Sequence, residues 1–295
     1  MRIQARIEQA LEAALARAES GTAPDRQGAQ APPRLVAAMR HAVFPGGARV
    51  RPRLCLAVAD ACGADDRAFA GAEAAASAIE LLHCASLVHD DLPCFDDAAT
   101  RRGAPSVHSA FGEPLAVLAG DGLIVLAFEV LAQAPAQRLP ALLTLIAGAV
   151  GAPSGLVAGQ AWESEPRAPL KRYHAAKTGA LFVAATASGA IAAGADPTPW
   201  RAVGARLGEA YQIADDLLDA VGAEGAGKPL RQDSAHARPN AVASLGVKGA
   251  VRRLELVIAE AVRSVPDCPG ADGLRDLVRA QASRLAPPSL VMAPA

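Results

Sequence analysis

The chain has 295 residues, of which 52% are apolar, so it can bury a sizeable core and is neither disordered nor fibrous. Its 29 basic and 30 acidic residues leave a net charge of −1, which argues against a polyanion-binding surface and a nucleic-acid partner. The five cysteines, Cys55, Cys62, Cys84, Cys94 and Cys268, form no C-x-x-C pair and predict core thiols in a reducing, cytoplasmic setting.

In chain order, Ile3, Ile7, Leu11 and Leu15 recur every fourth position among Glu and Arg, which predicts an amphipathic helix over about 1–20 and not a signal peptide. A Pro/Gly/Gln-rich loop follows over about 20–33. Further helices are predicted at about 34–44, 50–62, 66–91, 114–133, 138–150, 154–163, 170–194, 199–221, 248–264 and 271–285. Alanine dominates and β-branched alternation is missing, so no strand is expected. The fold class is therefore all-α, a single domain over 1–295 built as a bundle of about ten or more helices. The uncharged stretches from Leu139 to Trp162 and from Thr178 to Ala195 read as helices buried on all sides, not as membrane spans, because both are Ala/Gly-rich and the first contains Pro140 and Pro153.

Two acidic clusters stand out, Asp90-Asp91-Leu92-Pro93-Cys94-Phe95-Asp96-Asp97 and Asp215-Asp216-Leu217-Leu218-Asp219. Asp215 and Asp219 share one helical face at i, i+4, with Asp216 about 100° around the axis. An isolated Asp-Asp pair is usually a cap or a solvated surface. Here both clusters adjoin apolar runs, Ala85-Ser86-Leu87-Val88 before the first and Ile213-Ala214 and Leu217-Leu218 around the second. Crowded carboxylates repel, and hard divalent cations with oxygen ligands relieve that repulsion, Mg²⁺ above all beside phosphate.

Arg101 and Arg102 follow the first cluster and supply planar forks suited to phosphate oxygens. Upstream, Gly46-Gly47-Ala48-Arg49-Val50-Arg51-Pro52 is a glycine turn at a helix start, where backbone N–H groups favour a second anion. The loop over 222–240 carries Lys228, Arg231, Asp233 and Arg238, which could close over an anionic substrate. His89 is expected to orient or pack, and Trp162 and Trp200 to fill the core.

The ordered set of motifs resembles the trans-isoprenyl diphosphate synthases. It comprises the Gly46–Pro52 turn, the first Asp cluster with Arg101-Arg102-Gly103, Phe111-Gly112-Glu113 with Ala119-Gly120-Asp121, Gly159-Gln160, Lys177-Thr178-Gly179, and Tyr211-Gln212 leading into the second cluster. The likeness is strongest to bacterial geranylgeranyl diphosphate synthases. It implies a helical bundle around a central apolar tunnel, a homodimer, and Mg²⁺-dependent condensation of isopentenyl diphosphate with an allylic diphosphate. The resemblance assigns Asp90, Asp91 and Asp96 to two Mg²⁺ ions and Asp215 to a third, with Asp216 and Asp219 in support. It gives Arg101, Lys177, Thr178, Gln212 and Lys228 to the allylic diphosphate, joined by Arg238, and gives Arg49, Arg51, His83 and Arg102 to isopentenyl diphosphate. It also makes Ala85 and Ser86 the small residues past which a growing chain runs, with Leu82 and Ile79 as a deeper floor.

Ala48 stands where the family usually has Lys, Glu163 where it usually has Asp, and Arg238-Pro239-Asn240 replaces a Lys-containing stretch. None of these removes a metal ligand. An active synthase is therefore expected over a non-catalytic partner subunit. The arginine-rich second anion pocket argues against a terpene cyclase. Farnesyl and longer-chain synthases are the alternative activities.

Overall fold

The structure, a computed structural model, describes residues 3–20, 30–44, 46–221 and 240–282. Its helices are α1 (Ile3–Ser20), α2 (Pro33–Val43), α3 (Val50–Ala61), α4 (Asp66–Asp90), α5 (Val107–Phe111), α6 (Glu113–Leu131), α7 (Leu139–Val150), α8 (Leu156–Ala161), α9 (Leu170–His174), α10 (Ala180–Ala193), α11 (Thr198–Val221), α12 (Ala241–Arg263) and α13 (Ala271–Ala282). The all-α expectation holds. A small departure is an antiparallel ladder of β1 (Thr100–Arg101) and β2 (Ala104–Pro105). Its turn residues Arg102 and Gly103 both have positive φ, 54° and 78°, as a tight two-residue hairpin turn requires.

Helix α4 lies at the centre. Asp65 caps it by accepting a hydrogen bond from the Ala68 N–H at 2.8 Å, which satisfies one of the donors a helix start leaves open. Ala75, Ala78, Ile79, Leu81, Leu82, Cys84 and Ala85 are buried around its whole circumference, so α4 is enclosed and not amphipathic. α3, α6 and α10 pack against it. The many alanines let these helices approach closely, and the larger Leu and Ile side chains fill what remains at about 1.5–3 kcal/mol for each one buried.

The helix boundaries differ from expectation where local geometry intervenes. The stretch from Leu139 to Trp162 divides as expected into α7 and α8, with a 3₁₀ turn over Trp162–Ser164, but α7 exposes Leu143 and so is not buried on all sides. The predicted helix over 170–194 is continuous, but it contains a π-helical turn over Ala175–Gly179. The last long helix starts at Ala241 and not near 248, because the Asn240 side chain accepts from the Ala243 N–H at 2.7 Å and caps an extra turn. Gly246, at φ 67°, then breaks that helix just before the periodic segment the sequence displays.

By length and composition two helices could cross a membrane, Glu113–Leu131 and Leu170–Ala193. The second is 78% buried over its apolar window, as a core helix is. The first, α6, carries Asp121 within its apolar run. Only 44% of its window is buried, and it exposes Val117, Leu118 and Val125.

Burial pushes the Cys55 thiol up to about 12 and the Cys84 thiol up to about 11, while Cys94 is exposed. A thiol reagent at pH 8 should therefore modify Cys94 in the native protein and reach Cys55 and Cys84 only after unfolding, a sequence that peptide mapping of timed samples will read.

Candidate functional site

The first acidic cluster caps the C-terminal end of α4. The chain leaves the helix at Asp91 and turns back on itself: the Asp96 N–H donates to the Asp90 carbonyl at 2.9 Å, which returns the Asp96 backbone to the helix end. Asp90 is buried, and its Oδ1 accepts from Gln160 Nε2 on α8 at 3.0 Å. Asp91 is also buried, and both of its oxygens accept from Arg101 in a bidentate pair whose Nε contacts are 2.9 and 3.1 Å. Asp91 was expected as a metal ligand. In this structure its carboxylate is engaged by the fork that β1 presents to it, because a bidentate guanidinium satisfies both oxygens at once.

The second cluster lies on α11. Asp215 is exposed, Asp219 is half-buried, and Asp216 is buried. Asp216 accepts from Gln212 Nε2 at 2.9 Å and from the Ala241 backbone N–H at 2.6 Å. It sits about 100° around the helix from Asp215 and faces the start of α12, where open N–H groups attract an anion.

The π turn joins the two clusters. Lys177 Nζ lies 2.5 Å from Glu163 Oε1 and 3.7 Å from Asp90 Oδ2, and the neighbouring Thr178 Oγ1 donates to Gln212 Oε1 at 2.6 Å. Two glycines make the junction possible. A Cβ on Gly159 would stand 2.4 Å from the Lys177 backbone, and one on Gly208 would stand 2.6 Å from Gly179 Cα. Single π turns within α-helices recur at functional positions, where the extra residue turns side chains that a regular helix would aim elsewhere.

The arginines divide in a way the sequence does not show. Arg49, with φ 47°, turns its wholly buried side chain inward to Glu8 at 3.0 Å, to Glu80 at 2.8 Å and to the Val43 carbonyl at 2.8 Å. Burial alone would lower its pKa, but hydrogen bonding and charge from Glu8 and Glu80 hold it above the ordinary value. Arg49, expected as a substrate ligand, is held in this structure in a core ion pair, and Glu80, a lone acid in the apolar run of α4, is the signal for it in the sequence.

Arg51 behaves differently. Its guanidinium lies over the Phe182 ring at 4.8 Å, and its buried Nε has no hydrogen-bond partner among the described residues. Burial lowers its pKa, opposed by Glu80, Tyr211 and Asp215 and reinforced by Arg102. Arg102, in turn, lies against Gly47, where any side chain would collide with its guanidinium. A buried cationic fork with an open donor, near a second one, fits an anion with several oxygens.

His83 is half-buried on α4. His89 packs on α6, with Nε2 3.4 Å from the Val117 carbonyl, as expected of an orienting residue. Ala85, Ser86, Leu82 and Ile79 are buried, and the Ser86 carbonyl accepts from Gln160 Nε2 at 3.1 Å. A groove of about 1660 Å³ is lined by residues of α7, α9, α10, α11 and α12 and includes none of these four residues. Lys228, Arg231, Asp233 and Arg238 lie outside the described residues.

Among the described residues no three His, Cys, Asp or Glu side chains converge tightly enough to hold a metal ion unaided. The donor chemistry nevertheless suits Mg²⁺, which is held by one or two carboxylates with phosphate and water completing its shell. Asp90, Asp91, Asp96 and Asp215, with Asp216 and Asp219 in support, are the carboxylates in question.

The family model for Polyprenyl synthetase matches residues 32–268. The chain is 55% identical over 291 residues to the geranylgeranyl diphosphate synthase of Cereibacter sphaeroides, covering 97% of this chain and 98% of that protein. Among solved structures it is similar to geranylgeranyl pyrophosphate synthetase from Pyrococcus horikoshii, at TM-score 0.77 and 28% identity, covering 96% of this chain and 98% of that one. It is also similar to geranyltransferase from Helicobacter pylori complexed with magnesium and isoprenyl diphosphate, at TM-score 0.76 and 26% identity, with 96% and 98% covered.

Arg49→Ala separates a core role from a ligand role. It leaves Glu80, whose side chain is 3% exposed, buried without its cation, so urea unfolding should show a loss of about 3–5 kcal/mol. Arg51→Ala should leave the unfolding midpoint nearly unchanged.

Proposed function

The chain belongs to the polyprenyl synthetase family, and we propose that it is a geranylgeranyl diphosphate synthase that joins isopentenyl diphosphate head to tail to an allylic diphosphate, with farnesyl diphosphate as the last primer. The observation that carries this reading is the bridge at the π turn. Lys177 and Thr178, adjacent in sequence, reach Asp90 in one acidic cluster and Gln212 beside the other. A single diphosphate seated there meets cationic and hydroxyl donors from both.

Bound Mg²⁺, two ions held through Asp90, Asp91 and Asp96 and a third through Asp215 with Asp216 and Asp219 in support, would supply the positive charge a departing diphosphate requires. The protein's own groups do the positioning. Asp91 holds Arg101 at the edge of the site, Asp216 holds Gln212 against Thr178, and Gln160 orients Asp90. Arg51 and Arg102, with His83, form the second anion pocket for isopentenyl diphosphate, and Arg49 braces the turn below it. Lys228 and Arg238, which the family resemblance gives to the allylic diphosphate, lie outside the described residues. An allylic cation forming here is flanked by the apolar helices α4 and α10, which keep water from it. The released diphosphate is the nearest base for the final proton, so no Ser/His/Asp constellation is needed.

We further propose a homodimer in the cytoplasm. Val117, Leu118 and Val125 on α6, with Leu143 on α7, expose apolar side chains at 42, 52, 59 and 42%, and a second copy would cover them.

Purified protein incubated with Mg²⁺, isopentenyl diphosphate and labelled farnesyl diphosphate should yield a twenty-carbon product by chromatography. No elongated product would refute the assignment. Ala85→Tyr or Ser86→Phe should shift the product to fifteen carbons when the primer is shorter, since a ring there fills space the packed helices cannot cheaply enlarge. Unchanged product length in both variants would show that the chain does not pass α4 at this level.

Asp90→Ala and Asp215→Ala should each lower kcat by about 10²-fold or more while circular dichroism remains helical, because each removes charge stabilisation that matters most as the leaving group departs.

A further inference from the structure

We propose that Glu163 is a positioning residue whose carboxylate holds Lys177 away from Asp90 and so keeps Asp90 available to a divalent cation. This deepens the synthase reading and rests on it. Four groups form the arrangement. Glu163 Oε1 accepts from both Lys177 Nζ and Tyr173 Oη, each at 2.5 Å, while Asp90 Oδ2 lies 3.7 Å from the same ammonium. Coulomb attraction scales as the inverse of distance, so between the two carboxylates Lys177 is held by the nearer one.

The surroundings strengthen that preference. The side chains of Glu163 and Lys177 are 8% and 20% exposed, so water screens their contact only weakly. Tyr173 and Lys177 are four residues apart across the junction of α9 with the π turn, and both reach one oxygen. Hydrogen bonds to a charged oxygen are short and strong, and two on one atom fix its place. Gln160 and Glu163 lie three residues apart, in α8 and the 3₁₀ turn after it. That short segment touches Asp90 through Gln160 at 3.0 Å and Lys177 through Glu163, and so sets the separation of the two.

Neutralising Glu163 leaves Asp90, at 3.7 Å, as the carboxylate paired with the Lys177 ammonium among the described residues. The 3.7 Å pair then contracts to a contact ion pair, and a cation must displace the lysine to reach Asp90. Glu163→Asp keeps the charge on a side chain one methylene shorter.

The test is direct binding of Mn²⁺, measured by loss of the free-ion paramagnetic resonance signal in the presence of inorganic diphosphate, on wild type and three variants. Glu163→Gln should weaken Mn²⁺ binding by about tenfold, the scale of losses seen when an outer partner of a metal ligand is removed. Tyr173→Phe should weaken it less, and Glu163→Asp should stay within about twofold of wild type. Glu163→Gln with wild-type Mn²⁺ affinity overturns the proposal. A merely structural role would lower Tm in Glu163→Gln without moving the affinity of the folded protein, and would overturn it as well. If Glu163→Gln does not fold, the order wild type, Glu163→Asp, Tyr173→Phe in Mn²⁺ affinity decides the matter, and equal affinities in all three overturn it. Absence of prenyl transfer by the wild type, with Glu163→Gln still weaker for Mn²⁺, would refute the synthase reading and leave the positioning role standing.

Discussion

The site depends on how closely three backbone segments approach one another at the π turn. Gly159 of α8 rests on the Lys177 backbone and Gly208 of α11 rests on Gly179, contacts that leave no room for a methyl group on either glycine. That closeness lets a short threonine side chain reach Gln212 and a lysine reach Asp90 from consecutive positions. With larger residues at 159 or 208 the helices would stand apart and the two acidic clusters would lose their common link. The constraint is steric, and the electrostatics of the site are built on it.

The charges are then sorted by how completely each is paired. At the deepest level all three guanidinium nitrogens of Arg49 are engaged, by Glu8, Glu80 and a backbone carbonyl. One level out, Asp91 with Arg101, and Asp216 with Gln212 and the start of α12, are engaged but hold neighbouring groups that face the site. Arg51 retains an open buried donor. Burying a charge is costly unless it is paired, so an open donor beside Asp215 and Arg102 marks where an anion belongs. The acids and bases of the two motifs are thus not equivalent members of one cluster. Some hold others in place.

The same packing logic extends to the outside of the bundle. α4 and α10 are enclosed and alanine-rich, whereas α6 is as apolar as a core helix yet leaves a face of valine and leucine uncovered. Such a face costs nothing when a second copy meets it. His89, which packs on α6 next to Asp90, connects that face to the first acidic cluster by direct contact.

Much of this was legible in the linear chain. Alanine content and the absence of β alternation gave the helical class, the spacing of Asp215 and Asp219 gave a shared face, and the order of the motifs gave the family, since each depends only on residue type and separation along the chain. The extra turn of α12 was legible too, in the Asn240 cap, but a break at Gly246 hid it from periodicity. What the linear chain could not give was the partner of each charge. Arg49 and Arg51 look like a matched pair two residues apart, yet a left-handed backbone at Arg49 turns one into the core and leaves the other near the site. Asp91, Asp216 and Glu163 likewise took their roles from Arg101, Ala241 and Lys177, residues distant in sequence or displaced by a π turn. Residue type fixes what a side chain can do. Which of those things it does is set by distances of a few ångströms, and only the packed helices determine those.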